Sequence, residues 1–132
     1  AAAVKGVETV FHLAGVVHAR HLAEFQTINA QGTQHLLRAA QAAGVKRLIY
    51  VSSNSAAGYR RQGTLMRESD PARPYLAYGK SKYLAECAVR ECAQQHGLET
   101  IILRPCWYYG PRQPERQTRF FQMIKRQYEQ AA

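Results

Sequence analysis

Residues 47–58 read R-L-I-Y-V-S-S-N-S-A-A-G, and the reading of Arg47 to Ser53 within them decides the fold. Leu48, Ile49, Tyr50 and Val51 form a short apolar run of residues that suit a pleated, buried surface, and two small hydroxyl residues close it. A strand is predicted there, followed by a loop through Gly58 and Gly63. Working outward, Val7 to Ala14 (V-E-T-V-F-H-L-A) is a second such run, closed by Gly15. Glu99 to Leu103 (E-T-I-I-L) is a third, broken by Arg104-Pro105. Near-continuous apolar runs, rather than strict alternation, predict strands buried on both faces of a parallel sheet.

Two helical patterns lie between these strands. Leu22, Phe25, Ile28, Leu36, Leu37 and Ala40 recur at three- and four-residue intervals around Ala23 to Ala43, with Gly44 as a left-handed stop. Leu76 to His96 carries Leu84, Ala85, Ala88, Val89 and Cys92 on one side and ends at Gly97. A turn at Gly110-Pro111 precedes a closing helix over Thr118 to Gln130. Strand, helix, strand, helix, strand predicts right-handed crossovers and a doubly wound parallel sheet of α/β class, Rossmann-like, whose ligands lie beyond the carboxyl ends of the strands.

The composition narrows the function classes. At 132 residues the chain suits one domain, and 46% apolar with 20% charged residues argues against general disorder. No apolar run approaches the roughly 20 residues that cross a bilayer, so no membrane partner is expected and a cytoplasmic location is the default expectation. Cys87, Cys92 and Cys106 are odd in number and lack the paired spacing of a zinc site, which predicts reduced, structural thiols and no metal. A net charge of +9 would draw either an anionic cofactor or nucleic acid. The basic residues are scattered, as in Lys46-Arg47, Arg60-Arg61 and Arg112 to Arg126, without a DNA-binding motif, so nucleic acid is not expected.

The predicted strand ends bring three segments to one edge: Ala14-Gly15, Ser52-Ser53 and Pro105-Cys106-Trp107. Tyr78 and Lys82 are one helical turn apart, so they share a face and can address one ligand. For a phenol to act as a base near neutrality its pKa must fall by roughly three units, about 4 kcal/mol of preference for the phenolate. An ammonium such as that of Lys82 supplies part of this, and an oxidised nicotinamide brings a second positive charge. Each residue also has a plainer explanation. Tyr78 and Lys82 taken alone fit a surface tyrosine and a solvated lysine, and Ser52 and Ser53 fit hydroxyls that satisfy the backbone where a strand ends, Ser52 more so. Asn29 inside a helix is unfavourable by propensity and needs only a buried backbone bond to explain it. His12 reads as a hydrogen-bonded core histidine, and His18 with His21 lacks a third metal ligand. Trp107, Tyr108 and Tyr109 fit either a substrate wall or packing.

Five stretches together resemble the extended short-chain dehydrogenase/reductase family: V-F-H-L-A-G at 10–15, N-A-Q-G-T at 29–33, Y-V-S-S-N-S-A-A-G at 50–58, Y-G-K-S-K at 78–82 and L-R-P-C-W-Y-Y-G-P-R at 103–112. The resemblance implies a catalytic base at Tyr78, a lysine at Lys82 that binds the nicotinamide ribose and lowers the tyrosine pKa, and a substrate-orienting serine at Ser53. It implies contacts to NAD or NADP from Ala14, Gly15, Asn29, Ser52, Tyr78, Lys82, Pro105 and Cys106. Of the family's branches, the 3β-hydroxysteroid dehydrogenase-like one is the most similar, followed by related sugar-modifying ones. A sugar dehydratase is disfavoured, because its Asp-Glu pair is replaced by Asn54 and Ser55. The family's Gly-x-x-Gly-x-x-Gly phosphate loop is not in the sequence. Residues 1–132 are thus expected to be a partial dinucleotide-binding domain, lacking the amino-terminal phosphate-loop half and the carboxyl-terminal substrate region. The expected activity is interconversion of a secondary alcohol and a ketone on a small molecule, with an epimerase and a non-catalytic dinucleotide-binding sensor or scaffold as alternatives, and with a homodimer as an open expectation.

Overall fold

A computed structural model describes residues 2–60 and 63–131; Arg61 of the basic pair lies outside them. Strands β1 (Thr9–His12), β2 (Arg47–Val51) and β3 (Glu99–Leu103) form one parallel sheet in that spatial order. Thr9 pairs with Arg47 and Arg47 with Glu99, so the three strands start level and their carboxyl ends come out together. A helical turn at Ala2–Val4 precedes the sheet. Between β1 and β2, α1 (Leu22–Glu24), a π-helical stretch (Phe25–Gln31) and α2 (Gly32–Ala42) follow one another directly. Between β2 and β3 come α3 (Asn54–Ala57) and α4 (Leu76–His96), and α5 (Glu115–Ala131) follows β3.

The core lies between one sheet face and two helices. Leu37 and Ala40 of α2, and Ala85, Val89 and Cys92 of α4, pack on Leu48 and Tyr50 of β2, with Val45 and Leu98 closing the base. Each large apolar side chain buried there contributes roughly 1.5–3 kcal/mol, and alanines at 40 and 85 let the helices sit close to the strand. Cys92 is a core residue whose thiol burial pushes up, which suits a structural thiol.

Four expectations are corrected. The first strand is shorter than Val7 to Ala14, ending at His12, so Leu13 and Ala14 belong to the connection that follows. The second strand likewise ends at Val51, before the two serines. Nor are the outer strands buried on both faces. Val10, His12, Tyr50 and Ile102 turn toward the helices, while Phe11 is 68% exposed, and Ile101 and Leu103 are also exposed on the opposite face. A continuous apolar run signals that a strand could be covered twice; only packing decides whether it is. The stretch read as a loop after Ser53 opens with a helical turn, α3, because Ser53 in extended conformation accepts the Ser55 amide at 3.2 Å and caps it. The bounds expected for α4 and β3 are the observed ones, both delimited by local punctuation at Gly97 and Pro105.

Candidate active site

The level strand ends and the first turn of α4 meet at one place. Lys82 is only 4% exposed, yet its ammonium is held: Nζ donates to the Val51 carbonyl at 2.8 Å and lies 4.4 Å from the centroid of the Tyr50 ring. Burial lowers its pKa to about 8, against the opposing charge of Glu86. Between about 8 and the ordinary lysine value of 10.5 the unfolded chain binds the proton that folded Lys82 has lost, so the Lys82 contribution to stability rises with pH across that window. Urea midpoints measured through it are expected to increase, and Lys82→Met to remove the increase.

Tyr78 sits one turn before Lys82, half-buried, with its ring edge-on to Phe25 at 6.0 Å. Burial raises its pKa, the neighbouring Ser53 hydroxyl pulls it back by hydrogen bonding, and Tyr108 adds to the rise. The net direction is upward, with the Lys82 ammonium donating to the Val51 carbonyl. Ser53 is buried beside the phenol and also donates to Asn54 Oδ1 at 3.3 Å. Ser52, its neighbour, has its hydroxyl committed to Glu86 Oε1 at 2.6 Å and its amide to Leu103 at 2.7 Å.

Asn29 supplies the opposite wall. It lies in the π-helical stretch, 1% exposed, and its amide group is fully engaged: Oδ1 accepts from Val16 N at 2.8 Å, and Nδ2 donates to Val16 O at 3.0 Å and Ser81 Oγ at 3.1 Å. Ser81 Oγ donates onward to the Tyr78 carbonyl at 2.7 Å, so Asn29 ties the segment after β1 to the turn bearing Tyr78. Gly15 is required by this tie, since a Cβ there would stand 2.9 Å from Asn29 Oδ1. Deeper in, Thr33 Oγ1 donates to the Asn29 carbonyl at 2.6 Å and therefore accepts from His12 Nε2 at 2.8 Å. His12 is thus a satisfied core histidine, its pKa lowered first by burial and then by Lys82.

A cleft of about 150 Å³ is lined by Leu13, Gly15, Val16, Val17, Asn29, Val51, Ser52, Tyr78, Lys82 and Tyr108. It gathers five of the residues expected from the sequence: Gly15, Asn29, Ser52, Tyr78 and Lys82. Ser53 adjoins it through Tyr78. Ala14, Pro105 and Cys106 do not line it; Pro105 accepts the Asn54 amide at 3.1 Å and Cys106 is exposed. Of the three aromatic candidates only Tyr108 reaches the cleft, while Trp107 packs edge-on against Phe120 and Tyr109 against Phe121. Sequence reasoning missed Ser81 and Glu86. A carboxylate one turn beyond Lys82 on a face otherwise read as apolar is the signal that pointed to the second. A larger cavity of about 300 Å³, lined among others by Arg60, Arg67, Arg73 and Arg104, contains none of the expected catalytic or cofactor residues. Among the described residues no cluster of three His, Cys, Asp or Glu side chains is placed to hold a metal, and no helix is long and apolar enough to cross a membrane.

A parallel α/β sheet with a tyrosine, a lysine and a serine gathered at its strand ends defines a Rossmann-like protein of the short-chain dehydrogenase kind. The chain belongs to the NAD dependent epimerase/dehydratase family, whose model matches residues 1–132. It is 44% identical over 126 residues to protein y4nL of Sinorhizobium fredii, covering 92% of this chain and 35% of that one. It is 34% identical over 116 residues to the uronate dehydrogenase of Pseudomonas syringae pv. tomato, covering 88% and 41%. Among solved structures, a double mutant of the dTDP-glucose 4,6-dehydratase DesIV from Streptomyces venezuelae, with NAD bound, superposes with a TM-score of 0.79 at 34% identity, over 85% of this chain and 36% of that one. The UDP-glucuronic acid 4-epimerase of Bacillus cereus, in complex with NAD, gives 0.75 at 27% identity, over 82% and 35%. The chain therefore spans little more than a third of the length of these proteins, which among them include a dehydrogenase, a dehydratase and an epimerase.

Proposed function

We propose that this chain is the catalytic part of a nicotinamide-dependent oxidoreductase that interconverts a secondary alcohol and a ketone on a small molecule. One observation carries the proposal: Tyr78 and Lys82 open into a single cleft with Gly15 and Asn29, and Ser53 adjoins the phenol. The cleft suits a nicotinamide riboside. It pairs an ammonium, a phenol and a hydroxyl with an apolar wall of Leu13, Val16 and Val17, and Gly15 leaves no Cβ to fill it. Lys82 has two N–H donors beyond the one given to Val51, the number that two ribose hydroxyls would take. Bound there, the oxidised nicotinamide would accept hydride from the substrate carbon. Tyr78 takes the hydroxyl proton in that direction and returns it in the reverse, with Ser53 holding the oxygen by hydrogen bond. Half-buried Tyr78 rests protonated at neutral pH, ready to donate to a ketone, and the positive charges of Lys82 and of the bound cofactor would favour its phenolate for oxidation.

Sugar-modifying relatives favour a sugar or nucleotide-sugar substrate over a steroid-like one. Epimerisation is the second reading, favoured by the similarity to the Bacillus cereus epimerase, and it would use the same three side chains. Dehydration is a poorer fit, since Asn54 and Ser55 offer no acid–base pair beside Ser53. Residues 1–132 would then form part of a dinucleotide-binding domain.

The test uses the full-length protein with NAD or NADP and, in turn, free uronic acids and nucleotide sugars. Accumulation of reduced cofactor in step with oxidised product is the expected result. An epimer formed without net reduction would move the assignment to the second reading. Cofactor binding without turnover of either kind would favour a sensor.

A further inference from the structure

Glu86 is the only carboxylate among the fully buried described residues, at 0% exposure, and the chemistry proposed above gives it no part. Both of its oxygens are saturated. Oε1 accepts from Ser52 Oγ at 2.6 Å and Arg104 Nε at 2.8 Å, and Oε2 accepts from Arg104 Nη2 at 2.5 Å and Arg90 Nη2 at 2.9 Å. The Arg104 fork is bidentate, the strongest and most directional form of such a pair. These bonds join three segments that each bear part of the site. α4 carries Tyr78 and Lys82, Ser52 precedes Ser53 at the end of β2, and Arg104 at the end of β3 precedes Pro105, whose carbonyl holds the Asn54 amide that follows Ser53.

We propose that Glu86 is a positioning residue for Tyr78, Lys82 and Ser53, acting through Ser52 and Arg104 on the strand ends and through its own charge one turn from Lys82. It rests on the catalytic roles proposed above. A carboxylate kept only to stabilise the core would be a poor choice, since apolar residues of similar volume usually serve as well in a buried ion pair. Other charges surround the pair. Arg90 and Tyr83 of α4 and Arg104 after β3 face Glu86, while His12 of β1, Tyr50 of β2 and Tyr78 of α4 lie around Lys82. Of these, Glu86 is the group whose negative charge favours the ammonium.

The test compares Glu86→Gln, Glu86→Asp, the double variant Glu86→Gln with Arg104→Met, and Tyr78→Phe in the full-length enzyme. For each, kcat, KM for cofactor, the pH profile of turnover and the unfolding midpoint are measured. Glu86→Gln is expected to lower kcat by about ten- to a hundredfold, the scale of a small misplacement of reacting groups, with cofactor KM changed far less. It is also expected to move the alkaline limb to lower pH, because the lost charge no longer favours protonated Lys82. Glu86→Asp keeps the charge, so its alkaline limb should stay in place while kcat falls through shorter reach. The double variant removes the guanidinium left without its carboxylate, and it carries the kcat test should the single variant not fold. Wild-type kcat in a folded double variant, or an unmoved alkaline limb in a folded Glu86→Gln protein, would overturn the proposal. Retained turnover in Tyr78→Phe would instead overturn the catalytic reading beneath it, so the two failures are distinct.

Discussion

Tyr78→Phe in the full-length protein is expected to reduce turnover by about 10³-fold or more while cofactor affinity stays within a few-fold of the native value. General acid–base catalysis contributes about 10²–10⁴-fold, and Tyr78 is the phenol that hydrogen-bonds with Ser53. The phenylalanine ring should keep its seat, because the edge-on contact with Phe25 does not involve the hydroxyl. Ser53 keeps its structural work as well, since it caps α3 through the Ser55 amide whether or not the phenol is present. Lys82 remains on the Val51 carbonyl, so the cofactor-facing donors are unaltered. Steady-state rates with a cofactor titration by fluorescence separate the two quantities. Turnover at the native rate would remove Tyr78 from the chemistry, and loss of cofactor binding would make it a structural residue.

Gly79→Ala is expected to destabilise the fold strongly. A Cβ at that position would stand 2.4 Å from the Ser55 carbonyl oxygen and 3.1 Å from its carbon, both backbone atoms of α3 that cannot swing aside. Overpacking of this kind costs about 3 kcal/mol, more than a hundredfold in the folding equilibrium. Because Gly79 follows Tyr78 directly, relief of the clash must shift the first turn of α4 away from α3, and the phenol with it. Turnover per folded molecule should therefore fall too. Gly32→Ala is the matched control: its Cβ meets nothing closer than the Thr27 carbonyl at 3.8 Å, an ordinary contact within a helix, where alanine is the better helix former. Urea unfolding of both variants checks the contrast. Equal midpoints would mean that α3 and α4 do not meet as closely as described.

Apart from α3, the order of strands and helices was legible without any tertiary information, and so was the edge to which the strand ends bring Gly15, Ser52, Tyr78 and Lys82. Periodicity and punctuation are local properties. Gly97 and Pro105 mark where α4 and β3 end, and the helical repeat alone puts Tyr78 and Lys82 on one face. Only the folded structure decided what those residues meet. That Lys82 donates to the Val51 carbonyl and that Ser52 serves Glu86 depend on groups more than 30 residues apart in sequence, and the burial that raises the Tyr78 pKa is likewise set by the fold. The same holds for Asn29, whose side chain reaches Val16 and Ser81, and for the exposed second face of the sheet, which an apolar run cannot foretell. Local propensity is set by a residue and its near neighbours; desolvation and hydrogen-bond partners are set by whatever the fold brings alongside.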